Sequence, residues 1–114
     1  MSDALSVEGQ GWVGLDVAPP APGSVVPARV GELKLVVCNV DGQFYALADV
    51  CPHVQVPLSD GSLHGALLEC SLHGGRVDVR DGSPAGLPVR RAATTYRVRE
   101  VDGGLEVDLG EVGE

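Results

Sequence analysis

The chain has 114 residues, with eight basic and sixteen acidic side chains and a formal net charge of −8. That balance disfavours nucleic acid and anionic membrane surfaces as partners, because phosphate binding depends on Lys and Arg. At 44% apolar and 21% charged, the composition fits one folded domain with a modest core and argues against disorder along most of the length. No apolar run is long enough to cross a bilayer, and Met1-Ser2-Asp3-Ala4 lacks the basic-then-apolar order of a secretory signal. The expectation is therefore a cytoplasmic protein with no membrane partner.

Taken in order, the segments are short, rich in Val and Leu and separated by Gly, Pro, Asp or Asn, the pattern of an all-β domain. Trp12 to Val17 alternates and reads as a strand, which Ala18-Pro19-Pro20-Ala21-Pro22-Gly23 must end. Val25 to Val30 is a second strand, and Pro27 suggests an edge position. Leu33 to Val40 and Gln43 to Asp49 form a hairpin, because Asp41-Gly42 supplies the positive φ that a tight turn requires. Leu67-Leu68-Glu69 and Arg76 to Arg80 read as strands, Asp81-Gly82 as a turn, and Ser83 to Pro88, with two prolines, as a loop. Tyr96 to Val101 and Leu105 to Leu109 form a last hairpin across Asp102-Gly103-Gly104, before an acidic tail over 110–114.

Between these strands lie Cys51-Pro52-His53 and, sixteen residues later, Cys70-Ser71-Leu72-His73. This C-x-H and C-x-x-H quartet offers two thiolates and two imidazoles, the ligand set of a Rieske-type 2Fe-2S cluster, in which one iron is bound by cysteine and the other by histidine. Gly61, Gly65, Gly74 and Gly75 flank the ligands, so backbone without Cβ can approach the sulfides. A mononuclear zinc site is the rival, since zinc also accepts two Cys and two His. Zinc sites, however, usually pair like ligands, and this chain mixes Cys with His in each pair. The third cysteine, Cys38, sits among Val36, Val37 and Val40 and reads as core. His64 reads as a surface turn residue, and Trp12, Phe44 and Tyr45 as packing residues.

The runs Asp41-Gly42-Gln43-Phe44-Tyr45-Ala46-Leu47, Cys51-Pro52-His53, Pro57-Leu58-Ser59-Asp60-Gly61 and Cys70-Ser71-Leu72-His73-Gly74-Gly75-Arg76 carry a resemblance. From Asp41 to Leu109 the chain resembles the Rieske ferredoxins that serve bacterial aromatic-ring-hydroxylating oxygenases. The resemblance implies three stacked antiparallel sheets, one Rieske domain over 1–114, and a cluster-binding subdomain of two loops over about 50–80. It also implies one 2Fe-2S cluster per chain, with Cys51 and Cys70 on the inner iron and His53 and His73 on the outer. Two departures stand out: Val77 where many relatives carry an aromatic residue, and an apolar Val54-Gln55-Val56 in the first loop. Rieske proteins of cytochrome bc complexes resemble the chain less, because they carry a further cysteine pair that bridges the loops, and Cys38 lies outside both.

The functional expectation is a monomeric one-electron carrier that takes electrons from a flavoprotein ferredoxin reductase and delivers them to a terminal oxygenase. It is not itself an enzyme: once the quartet is assigned only His64 is left, too little for a 2-His-1-carboxylate iron site. Two other readings stay open, a Rieske-like small subunit of a complex such as nitrite reductase, and a structural zinc-binding interaction module. Residues 76–99 hold six arginines, Arg76, Arg80, Arg90, Arg91, Arg97 and Arg99, against two acids. This basic block is either a docking patch or a set of strand faces paired with Asp78, Asp81 and the acidic C-terminal segment.

In high-potential relatives a Ser two residues and a Tyr four residues after the last ligand donate hydroxyl hydrogen bonds to the sulfurs; the matching positions here are Gly75 and Val77. Neither side chain donates, so the added negative charge of the reduced state is less stabilised, and the potential is expected toward the low end of the roughly −150 to +300 mV Rieske range. Protein-film voltammetry measures it directly. The same scan carried into alkaline solution is expected to show a falling midpoint, because each ligand imidazole keeps one titratable N–H.

Overall fold

The computed structural model describes residues 12–51, 56–71, 74–86 and 92–109. Among them are ten strands, one 3-10 turn and no α-helix. The strands are β1 (Trp12–Leu15), β2 (Val25–Val30), β3 (Leu33–Val40), β4 (Gln43–Ala48), β5 (Ser62–His64), β6 (Leu67–Glu69), β7 (Arg76–Asp78), β8 (Pro84–Gly86), β9 (Thr95–Val101) and β10 (Gly104–Asp108), with the 3-10 turn at Leu58–Asp60. Six strands run in the order β1-β10-β9-β4-β3-β2 and four in the order β5-β6-β7-β8, and every pairing is antiparallel.

Local chemistry accounts for the hairpins. Asp41 and Gly42 both take positive φ, 52° and 91°, the condition for a tight two-residue turn between twisted strands. The Gly42 N–H donates to Asn39 Oδ1 at 2.7 Å, and Asn39 Nδ2 donates to the Pro20 carbonyl at 2.8 Å, tying the proline-rich segment to this hairpin. β2 lies at the end of its sheet, so Pro27 occupies an edge as expected.

β3 organises the layers. Leu35, Val36, Val37 and Cys38 are all fully buried, and because alternate residues face opposite sides of a strand they feed two cores. Leu35 and Val37 join Ala28, Ala46, Leu105 and Val107 on one side. Val36 and Cys38 join Leu47, Leu58, Leu68, Val77 and Val79 on the other. The sheet holding β2, β3 and β4 is thus the middle of three layers, with β1, β10 and the end of β9 on one face and β5 to β8 on the other. β9 serves two layers: Thr95 and Tyr96 pair with β4, whereas Arg97 to Val101 pair with β10.

Four expectations are corrected. Ser83 to Pro88 is not wholly loop: Pro84–Gly86 forms β8, pairing with β7 through an irregular register, and proline is tolerated there because β8 is an edge. The strand expected over Arg76 to Arg80 ends at Asp78, whose carboxylate accepts from the Arg80 backbone N–H at 3.0 Å and draws the chain into a turn. His64 closes a strand, β5, and Gly65 with φ 63° makes the turn. Gly104 pairs with Val101 as part of β10, leaving Asp102-Gly103 as the turn. The acidic tail and Leu87-Pro88 lie outside the described residues.

Leu47 is completely buried between the middle layer and the β5–β8 sheet. Leu47→Ala is expected to cost about 2–5 kcal/mol and to lower the melting temperature by roughly 10 °C or more, measured by differential scanning calorimetry.

Candidate metal centre

Cys51 follows β4 and Cys70 follows β6. Both are buried, 3% and 2% exposed, in one apolar group with Leu47, Leu58, Leu68 and Val77. No disulfide joins any of the three cysteines. Each of these two cysteines opens a loop closed by its own backbone: the Cys51 N–H donates to the Val56 carbonyl at 2.9 Å, and the Cys70 N–H to the Gly75 carbonyl at 2.7 Å. The two loops therefore have the same six-residue span, pinned at the base, and each encloses one histidine of the quartet. His53 and His73 themselves lie outside the described residues, as do Pro52, Val54, Gln55 and Leu72.

Outside the loops the bases are braced against each other. Ser59, in the 3-10 turn, donates its backbone N–H and its hydroxyl to the two carboxylate oxygens of Asp49, each at 2.7 Å. A Cβ at Gly61 would collide with the Glu69 carbonyl oxygen, so only glycine lets the return from the first loop cross so near β6. Glu69 also joins the strands of the small sheet: its Oε1 lies 3.2 Å from Arg76 Nη2 and 3.3 Å from His64 Nε2. None of these braces is visible in the ligand spacing. The Pro57 to Gly61 run was a signal for the 3-10 turn and Gly61, whereas Asp49 carried no mark of its role.

Gly75 and Val77 are both buried beside the two cysteines. Gly75 is buried and engaged through its carbonyl with Cys70, and Val77 is 1% exposed in the same apolar group as the two sulfurs. Cys38 is core, as expected: burial first, and the Asp49 charge second, push its thiol up to about 12. Of the six arginines in the basic block, Arg76, Arg80, Arg97 and Arg99 are each ion-paired, with Glu69, Asp78, Asp108 and Glu106; Arg90 and Arg91 lie outside the described residues. Arg97 and Arg99 also stack over Trp12, at 5.7 and 3.9 Å from its ring. The described arginines of the block are thus all paired, Arg76 on β7, Arg80 in the turn that follows it, and Arg97 and Arg99 on β9.

Two unbridged sulfurs in an apolar core, each at the foot of a short closed loop, suit a metal group that takes up thiolate charge. Among the described residues no three His, Cys, Asp or Glu side chains gather at one point. Layered antiparallel sheets with two such loops define a small all-β domain with a candidate metal centre.

The chain belongs to the Rieske [2Fe-2S] domain family, whose model matches residues 15–97. It is 36% identical over 84 residues to the anthranilate 1,2-dioxygenase ferredoxin subunit of Burkholderia cepacia, covering 73% of this chain and 78% of that one. It is likewise 36% identical over 89 residues to the ferredoxin component of biphenyl 2,3-dioxygenase from Rhodococcus jostii, covering 78% and 83%. Among solved structures, the ferredoxin of carbazole 1,9a-dioxygenase from Nocardioides aromaticivorans superposes with a TM-score of 0.81 at 27% identity, over 89% of this chain and all of that one. A chain from a complex of reduced oxygenase and oxidized ferredoxin of carbazole 1,9a-dioxygenase superposes at 0.80 with 34% identity, over 92% and 99%. The family's cofactor is the Rieske 2Fe-2S cluster, which sets the zinc module aside.

Two outcomes follow from the thiol environments. Cys51→Ser and Cys70→Ser are each expected to abolish bound iron and acid-labile sulfide, whereas Cys38→Ala retains both, as measured by metal and sulfide analysis. Because its thiol stays protonated well above neutrality, Cys38 is expected to resist iodoacetamide at pH 8 in the folded protein and to react only on unfolding, read by mass spectrometry.

Proposed function

We propose that Cys51, His53, Cys70 and His73 hold the 2Fe-2S group, the two sulfurs on one iron and the two imidazoles on the other. The observation that carries this is the pair of equal loops, each closed from a buried cysteine and each containing one histidine. When bound, the group supplies a one-electron couple. The protein's own part is to bury the sulfurs, to hold both loop bases rigid on the sheets, and to offer no hydroxyl donor at Gly75 or Val77. We read residues 1–114 as one domain and about 50–80 as its ligand-binding part.

The chain is an electron carrier of a multicomponent oxygenase system and not the catalyst. Its relatives are ferredoxin components of such systems, and one structural neighbour comes from a complex between ferredoxin and oxygenase. These names favour a mobile carrier over a fixed subunit of a nitrite reductase-like enzyme. In this reading the electron donor is a flavoprotein reductase, the acceptor a terminal oxygenase acting on an aromatic compound, and the carrier works as a monomer in the cytoplasm. Among the described residues no helix is long and apolar enough to cross a membrane, which accords with that placement.

Low-temperature EPR of the reduced, iron-loaded protein is expected to give the low average g-value of a histidine-ligated 2Fe-2S centre. His53→Ala and His73→Ala are each expected to lose that signal. Iron-loaded wild-type protein lacking it would refute the ligand assignment.

A further inference from the structure

Asp49 stands just past β4, two residues before Cys51. Its backbone N–H donates to the Lys34 carbonyl at 2.9 Å, which fastens it to the middle layer. Its carboxylate accepts both hydrogen bonds from Ser59, the N–H on Oδ1 and the hydroxyl on Oδ2. Residues 49 and 59 flank the whole first ligand loop, so this two-point contact closes the loop outside the Cys51–Val56 bond. From Ser59 the chain reaches Gly61, which lies against the Glu69 carbonyl immediately before Cys70. A continuous run of contacts thus leads from Asp49 to the foot of the second loop.

The same carboxylate carries a charge that no cation neutralises at close range. Among the described residues the ion pairs engage Glu69, Asp78, Glu106 and Asp108 but not Asp49. Arg29 and Lys34 line the same cleft without pairing to it. The carboxylate lies near enough to Cys38 to add, after burial, to the raising of that thiol, and Cys38 packs in the same apolar group as Cys51 and Cys70.

We propose that Asp49 is a positioning residue for the electron-transfer centre: through Ser59 it fastens both ends of the first ligand loop, and its unpaired negative charge lowers the centre's reduction potential. This inference rests on the ligand assignment above. The sign follows from charge alone: reduction adds an electron to the centre, and a nearby fixed negative charge opposes that addition, more strongly in a poorly solvated site.

Three variants of the full-length, iron-loaded protein separate the two roles. In Asp49→Asn the amide oxygen still accepts from the Ser59 N–H and the amide nitrogen donates to its hydroxyl, so the clamp persists without the charge. Asp49→Ala removes both, and Ser59→Ala keeps the charge while removing one hydrogen bond. The expected results are a wild-type iron content and EPR signal in Asp49→Asn with a midpoint potential shifted to more positive values at low salt. Asp49→Ala is expected to release iron to a chelator about tenfold faster or more. Ser59→Ala is expected to release it faster than wild type with an unchanged potential. An unmoved potential in Asp49→Asn, its failure to load iron, or a wild-type release rate in Asp49→Ala would each overturn the proposal. Wild-type protein that loads iron without the histidine-ligated signal removes the ligand assignment, and this inference with it. A wild-type signal beside an unmoved Asp49→Asn potential removes only the inference.

Discussion

The structure depends on β3 being buried on both faces. A strand whose side chains are apolar in both directions has no stable place at a surface, since either face left in water would forfeit the burial that offsets chain entropy. Leu35 and Val37 take one core, Val36 and Cys38 the other, and every other layer is positioned by having to cover one of these faces. The outer strands alternate instead. In β10, Leu105 and Val107 point inward while Glu106 and Asp108 point out to meet Arg99 and Arg97, as a sheet wetted on one side requires.

That arrangement explains where the centre can lie. Cys51 and Cys70 belong to the second core, so their sulfurs are themselves part of the packing that holds β5 to β8 on the middle layer. A metal group joining the two sulfurs would couple its binding to folding, because it would also join two chain segments separated by sixteen residues. The two loops are held at their ends. Each is closed by one backbone hydrogen bond, and the contacts at Asp49, Ser59 and Gly61 brace their bases from outside.

Exposed charge contributes differently. The arginine pairs with Glu69, Asp78, Asp108 and Glu106 lie at the surface, with arginine side chains from 44% to 77% exposed, where an ion pair adds little to stability. Their effect is to neutralise the only markedly basic stretch of an acidic chain, at least over its described residues. Among the described residues the exposed large apolar side chains are Val50 and Val101.

Much of this was legible in the chain. Asp41-Gly42 and, but for Gly104, Asp102-Gly103-Gly104 marked two hairpin turns, Pro27 marked an edge, and the spacing of Cys51, His53, Cys70 and His73 pointed to the family, because turn chemistry and motif spacing are local properties. Three-residue strands were less legible: Ser62–His64 and Pro84–Gly86 are too short for alternation to register, and they are strands only because β6 and β7 offer them partners. The sharing of β9 between two layers, the closing of the two loops at equal span, and the placing of Asp49 against Ser59 were decided by tertiary structure alone. Each joins residues distant in sequence through backbone or carboxylate geometry, which no local pattern encodes. The sequence by itself determined the family and the four candidate ligands, and the packing of three layers decided how the two cysteines are buried and how the ends of their loops are held.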